Sequence, residues 1–130
     1  MMVFDTSAIY KSISSGKASH LVDQYTSYLA FFELGNIVWK NSVLGKVYTQ
    51  KEAKELLSVC ELVLEKMRVN YVDLNNVYHI AAQHHISFYD ATFVCLAIDL
   101  KCPLVTLDRK LSVKVKSLLT ILAFEDVSTM

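Results

Sequence analysis

The sequence predicts a single α/β domain over residues 1–130, with a mainly parallel, twisted sheet of four or five strands and helices on both faces. Three observations lead there. Short apolar runs recur along the chain as Val3-Phe4, Val69-Asn70-Tyr71-Val72, Leu104-Val105-Thr106-Leu107 and Ile121-Leu122-Ala123-Phe124. Runs of this kind are too short for helices and suit strands buried on both faces of a parallel sheet. Segments of helical periodicity separate them, giving the alternation that right-handed crossovers require. Hydrophobic residues make up 53% of the 130, with Gly 3 and Pro 1, so one ordered core is expected rather than linkers or disorder.

From the N-terminus, Thr6 to Ile13 reads as a short helix broken by Ser14-Ser15-Gly16. Ala18, Leu21, Val22 and Tyr25 fall at i, i+3, i+4 and i+7, which predicts a second amphipathic helix. Tyr28-Leu29-Ala30 reads either as a short strand or as the entry to the next helix. That helix, Phe31 to Leu44, turns Leu34, Ile37 and Val38 inward, carries Glu33 in its first turn and ends near Gly45. Thr49-Gln50-Lys51-Glu52 has the form of a capping box. The helix it opens keeps Ala53, Leu56, Leu57, Cys60, Val63, Leu64 and Met67 in helical spacing. Val59 and Leu62 lie beyond that stripe, which places them under a neighbouring helix or in the interface of a homodimer.

After the strand at 69–72, Leu74, Val77, Tyr78, Ala81 and Ala82 mark the buried face of another helix. His79, His84 and His85 fall on it or just beyond; adjacent His84 and His85 diverge on a helix, and no third ligand is spaced to complete a zinc site. Ala91 to Leu100 is apolar all round apart from Thr92 and Asp99, the mark of a central buried helix, with Asp90 at its mouth. Lys110 to Leu119 reads as a basic helix and Val127 to Met130 as a frayed tail.

Lys+Arg 13 balances Asp+Glu 13, so no global positive field recruits nucleic acid, and such a partner must be held by a local patch or by metal ions. Cys60, Cys95 and Cys102 are odd in number, lack metal-type spacing and lie in apolar runs; they read as buried thiols of a reducing compartment. No charged and apolar leader precedes Asp5, and no apolar run reaches the roughly 18 residues of a membrane span. The expectation is a cytoplasmic protein without a membrane partner.

Asp5 and Asp108 each follow a strand and a hydroxyl-bearing neighbourhood, while Glu33 and Asp90 each open a helix. Ligands of open α/β sheets bind outside the carboxyl ends of the strands, where all four acids can converge. Taken singly, each is equally well explained as a helix cap or a dipole partner. Taken together they are an awkward assembly of like charges, since unit charges about 4 Å apart repel by about 4 kcal/mol at an effective dielectric of about 20. Such a pocket needs cations or protons. Oxygen donors are hard ligands and point to Mg²⁺ or Mn²⁺ rather than zinc, and hence to metal-assisted phosphodiester hydrolysis.

Val3-Phe4-Asp5-Thr6-Ser7, Phe32-Glu33-Leu34, Tyr89-Asp90-Ala91 and Thr106-Leu107-Asp108-Arg109-Lys110-Leu111 together resemble, in order and spacing, the PIN-domain ribonucleases of the VapC toxin type. The resemblance covers essentially the full length. It implies a PIN-like three-layer sandwich and a Mg²⁺- or Mn²⁺-dependent endoribonuclease acting on single-stranded RNA. Asp5, Glu33, Asp90 and Asp108 would form the acidic metal site, with Thr6 and Thr106 orienting water. It further implies a small antitoxin as partner, and a homodimer. Some relatives carry another acid or amide just past the last aspartate, where this chain has Arg109 and Lys110. With Lys114, Lys101 and Lys116 those residues form a phosphate-binding patch or a solvated helix face. A phosphoryl-accepting role for Asp5 has less support, because position 7 is Ser7 rather than a second aspartate and no acid adjoins Asp5. The non-enzymatic alternative is a protein- or RNA-interaction module whose acids serve only as caps.

Overall fold

The computed structural model describes residues 1–128. Five strands, β1 (Val3–Phe4), β2 (Tyr25–Ser27), β3 (Arg68–Asn70), β4 (Leu104–Thr106) and β5 (Ile121–Ala123), form one sheet in the order β3-β2-β1-β4-β5. All four pairings are parallel. Between and after them run α1 (Thr6–Ser14), α2 (Leu29–Trp39), α3 (Gln50–Lys66), α4 (Leu74–His84), α5 (Phe88–Leu100), α6 (Arg109–Val115) and α7 (Phe124–Ser128). The chain steps from β1 outward to β3, crosses back to β4 and steps outward again to β5. Right-handed crossovers therefore put the first three helices on one face and the next three on the other, which is the three-layer arrangement expected.

β1 is the centre strand, and its two residues Val3 and Phe4 are fully buried, as a strand covered on both faces must be. α5 lies across β1, β2 and β4, and α4 packs against it. That double coverage explains why Ala91 through Ala97 are all buried and why α5 needs no polar face along that stretch. The sheet reverses direction of growth between β1 and β4. The connections leave in opposite directions there, and a crevice opens at the carboxyl side of the strands. No helix among the described residues is long and apolar enough to cross a membrane.

Several sequence expectations shift. The helix expected over Ala18–Tyr25 is a single 3-10 turn, Ala18–Leu21, and Tyr25 belongs to β2. Asp23 takes a left-handed conformation (φ 65) that ends any helix, and its N–H goes to the carbonyl of Lys66. Four residues in register were too short a pattern to distinguish a turn entering a strand. The strand considered at Tyr28–Ala30 lies upstream instead, and α2 begins at Leu29, which moves Glu33 out of its first turn. After Trp39 the helix widens into a π-type turn, Lys40–Leu44, closed by the Gly45 N–H on the Lys40 carbonyl.

β3 ends at Asn70 rather than 72, and α6 stops at Val115 rather than 119. Phe124 does not extend β5 but starts α7, whose Val127 is buried in the core rather than frayed. Thr129 and Met130 lie outside the described residues. The capping box is present in both directions: Glu52 N–H to Thr49 Oγ1 at 3.1 Å and Thr49 N–H to Glu52 Oε1 at 3.0 Å. Val59 and Leu62 are 42% and 59% exposed, so no neighbouring helix covers them.

Candidate active site

β1 hands the chain to α1 through Asp5, whose N–H bonds the Val105 carbonyl at 3.2 Å and so stitches the end of β1 to β4. Its carboxylate caps α1, with Oδ1 accepting from Ala8 N–H at 3.0 Å and from Ser7 Oγ at 2.7 Å. On the neighbouring strand, Thr106 Oγ1 accepts from Asp108 N–H at 3.1 Å, and Asp108 Oδ1 caps α6 by accepting from Leu111 N–H at 3.0 Å. Ser7 Oγ also accepts from Leu107 N–H at 3.3 Å, tying the two strand-end loops together. Strand register therefore sets Asp5 beside Thr106, two residues before Asp108, and both acids line the same cleft.

Glu33 reaches the same place from α2. Its Oε1 accepts from Thr6 Oγ1 at 2.6 Å, across 27 residues of sequence. Because Glu33 lies past the first turn of α2, neither capping nor the helix dipole accounts for it. Asp90 arrives on the first turn of α5, which Ser87 caps: Ser87 Oγ accepts from Asp90 N–H at 3.0 Å. Asp5, Thr6, Ser7, Glu33, Asn36, Asp90 and Asp108 line one cleft of about 270 Å³, floored by Ile37 and Phe93. All four predicted acids thus share a single cavity.

The electrostatics of that cavity follow from burial and crowding. Burial raises the proton affinity of Asp5 above the ordinary carboxylate range; bonds from Thr106, Ala8 and Ser7 oppose this, and the charge of Asp90 adds to it. Glu33 is raised mainly by burial, against the bond from Thr6, with further contributions from Asp90 and Asp5. Asp90 is also raised, by burial first and then by the charge of Asp108. Each charged form is therefore held at a cost that a cation would relieve.

The donor set fits a hard divalent ion, since seven of the nine lining side chains carry carboxylate, hydroxyl or amide oxygens. Among the described residues, however, no three His, Cys, Asp or Glu side chains stand close enough together to enclose an ion as they are.

The predicted basic residues Arg109, Lys110 and Lys114 all lie on α6. Arg109 lines a second cavity of about 450 Å³ on the far side of Asp108, together with Lys116 and Ser112, and Lys110 is exposed on α6. Lys114 Nζ donates to the carbonyl of His85 at 3.0 Å, which anchors α6 to the junction of α4 and α5. His84 ends α4 and His85 takes the left-handed position after it. Cys60, Cys95 and Cys102 are free thiols, and burial, with the charges of Asp99 and Asp73, pushes Cys95 up to about 11.

Sequence reasoning missed Ser7 and Asn36 as parts of the site. Ser7 was legible as the third residue of Asp5-Thr6-Ser7, and Asn36 as the residue three beyond Glu33 on one helix face.

The PIN domain family model matches residues 2–116. This chain belongs to the PIN domain family. Among curated relatives, Ribonuclease VapC3 of Pyrobaculum aerophilum is 30% identical over 112 residues, covering 85% of this chain and 81% of that protein. Exonuclease VapC9 of the same organism is 30% identical over 92 residues, covering 68% of this PIN chain and 65% of its own length. The crystal structure of PAE2754 from Pyrobaculum aerophilum superposes with a TM-score of 0.83 at 25% identity, over 98% of this chain and 93% of the other. VapBC-1 from nontypeable Haemophilus influenzae gives a TM-score of 0.65 at 17% identity, over 95% and 98% of the two chains. These superpositions establish the PIN domain's α/β sandwich for this chain.

Proposed function

We propose that this PIN domain is a divalent-metal-dependent endoribonuclease that hydrolyses phosphodiester bonds of single-stranded RNA. The observation that carries the proposal is the convergence of Asp5, Glu33, Asp90 and Asp108 on one cleft at the β1/β4 reversal. The names of the curated relatives VapC3 and VapC9, a ribonuclease and an exonuclease, support nuclease chemistry. Caps alone explain Asp5 and Asp108, but they leave Glu33 and its bond from Thr6 without a purpose.

Four carboxylates would repel a phosphodiester unless their charge is balanced. When bound, Mg²⁺ or Mn²⁺ supplies that balance and the Lewis acidity that polarises a phosphoryl oxygen and acidifies water. The chain's own part is to hold the acids still. Thr6 fixes Glu33, while Ser7, Thr106 and the Ala8 N–H fix Asp5, and in this reading Thr6 and Thr106 also orient water within the cleft. The raised proton affinities of Glu33 and Asp90 suit a group that accepts a proton from attacking water.

RNA phosphates beyond the scissile bond would meet Arg109 and Lys110, with Lys114 contributing from its place beside His85. Replacing Arg109 and Lys110 together by alanine should flatten the dependence of log affinity on log salt by roughly one to two in slope, since each single-strand phosphate contact contributes about 0.7. Fluorescence anisotropy across a salt series reads this directly, and an unchanged slope would make α6 a solvated face.

The protein would act in the cytoplasm as the toxin of a toxin–antitoxin pair, with a small protein antitoxin. The name of the solved neighbour VapBC-1 is consistent with that role. A homodimer using the exposed Val59 and Leu62 completes the reading; a monomer by light scattering at tens of micromolar would remove this part. A circular single-stranded RNA tests the central activity. An endonuclease linearises it when Mg²⁺ or Mn²⁺ is added and stops on chelation. A circle that survives while a linear RNA of the same sequence is degraded would replace endonuclease by exonuclease, and survival of both would return the chain to an interaction module.

A further inference from the structure

Beside the acidic cleft runs a second depression of very different chemistry. Tyr28, Phe32, Tyr71, Leu74, Phe88 and Tyr89 line a groove of about 280 Å³. Phe32 is 78% exposed and Tyr71 79% exposed, a degree of aromatic exposure that marks a binding surface rather than ordinary solvated residues. Two of the rings are already stacked, Tyr28 on Tyr71 with centroids 4.1 Å apart and planes 17° from parallel. With one face on Tyr28, Tyr71 turns its other face outward. No charged side chain is among the groove's described lining residues, so the groove selects neither phosphate nor an ionic peptide; a flat, uncharged ring is what fits against it.

Groove and cleft share the same two helices, α2 and α5. Phe32 and Glu33 are consecutive on α2, and Tyr89 and Asp90 are consecutive on α5; neighbours on a helix point about 100° apart, so each pair puts a ring in the groove and an acid in the cleft. Thr92 and Phe93 divide between the two cavities in the same way. A polymer whose phosphodiester lies in the cleft can therefore lay its neighbouring unit over the rings.

We propose that this aromatic groove is a base-binding subsite, in which an unpaired nucleobase of the RNA stacks on the outer face of Tyr71 beside the phosphodiester held in the acidic cleft. The proposal takes its substrate class from the nuclease reading above. Stacking of this kind is sequence-tolerant because every base has a π face. It also restricts the substrate to unpaired strands, since a base within a duplex cannot offer that face.

The test compares two labelled oligomers with the same phosphates, single-stranded oligouridylate and an abasic oligomer of equal length, bound to the full chain in Ca²⁺, a hard divalent ion that balances the acids. Tyr71→Ala should weaken binding of oligouridylate by about 5- to 150-fold, the range expected for one lost base–aromatic stack, and leave the abasic oligomer unaffected. Tyr71→Phe should bind both like the wild type, and neither variant should change the salt slope. Equal losses on both oligomers, or none on either, would overturn the subsite. So would a Tyr71→Ala protein that sediments as a monomer where the wild type is a dimer, because the groove would then belong to a second copy of the chain. A wild type that prefers the base-bearing oligomer through Tyr71 but never cleaves RNA would sustain the groove and reject the nuclease; cleavage with no Tyr71 effect on binding would do the reverse.

Discussion

Asp90→Asn will melt higher than the wild type without metal and lower than the wild type in excess Mg²⁺ or Mn²⁺. The first half follows from crowding: burial and the charge of Asp108 both disfavour ionised Asp90, and the amide removes one charge at nearly constant shape. At a half-exposed site solvent screens such charges, so the relief is on the order of 1 kcal/mol. For a domain of this size that is roughly 4 °C. The second half follows from linkage. An ion that binds only the folded cleft stabilises the wild type by about 2.7 kcal/mol at a hundred times its dissociation constant, and the variant should gain much less. Thermal melts with and without metal measure both halves. If the two proteins respond identically to metal, Asp90 is a helix-start acid and no more.

The same carboxylates give the metal-free protein an unusual dependence on pH. Asp5, Glu33 and Asp90 bind protons more tightly folded than unfolded. Their ionised forms therefore weaken the fold at neutral pH, and the penalty shrinks as pH falls through the raised folded values toward the ordinary carboxylate range. Glu52 runs the other way: its proton affinity is lowered by the Thr49 backbone and side-chain bonds, so its support of α3 disappears on acidification. The site should dominate, and metal-free stability should rise between neutral and mildly acidic pH. Saturating metal should flatten that rise.

Leu96→Ala should cost about 2–5 kcal/mol, the second large effect expected. Leu96 is 1% exposed in the middle of α5, the helix that lies on β1, β2 and β4 and carries Asp90. Urea unfolding measures the loss. Since domains are stable by only about 5–15 kcal/mol, the variant forfeits on the order of a third of its stability while its acids remain in place. A cost below about 1 kcal/mol would mean that α5 is not the packed centre of the domain.

Much of this arrangement could be read in advance because it rests on local signals. The apolar run before Asp5, the capping box at Thr49 and the all-apolar stretch after Asp90 each state their own element, and each element was found. Asp5, Asp90 and Asp108 were legible through their positions at strand and helix ends, whereas Glu33 lies past the first turn of α2 that the sequence suggested for it. What escaped was set by long-range structure. The 3-10 turn at Ala18–Leu21 depends on the left-handed Asp23 reaching the end of α3, and the helix at Phe124 forms where β5 has run out of a partner strand to extend along. Lys114 looked like one charge of a basic face, yet the carbonyl it holds belongs to a residue 29 positions away. Sequence periodicity carries no information about that distance. The aromatic groove was hidden for the same reason, since Tyr28 and Tyr71 meet only after β2 and β3 pair.

The most direct test of the central claim is the single-turnover rate at which wild type and Asp5→Asn linearise circular single-stranded RNA in Mg²⁺. Asp5 sits where β1 meets β4, accepts from Ser7 and Ala8, and lies in the field of Asp90. Asparagine keeps the cap on α1, so a folded protein should result. The account predicts at least a hundredfold loss of rate, about the effect of removing one transition-state-stabilising group. A correctly folded Asp5→Asn protein that cleaves as fast as the wild type would contradict it.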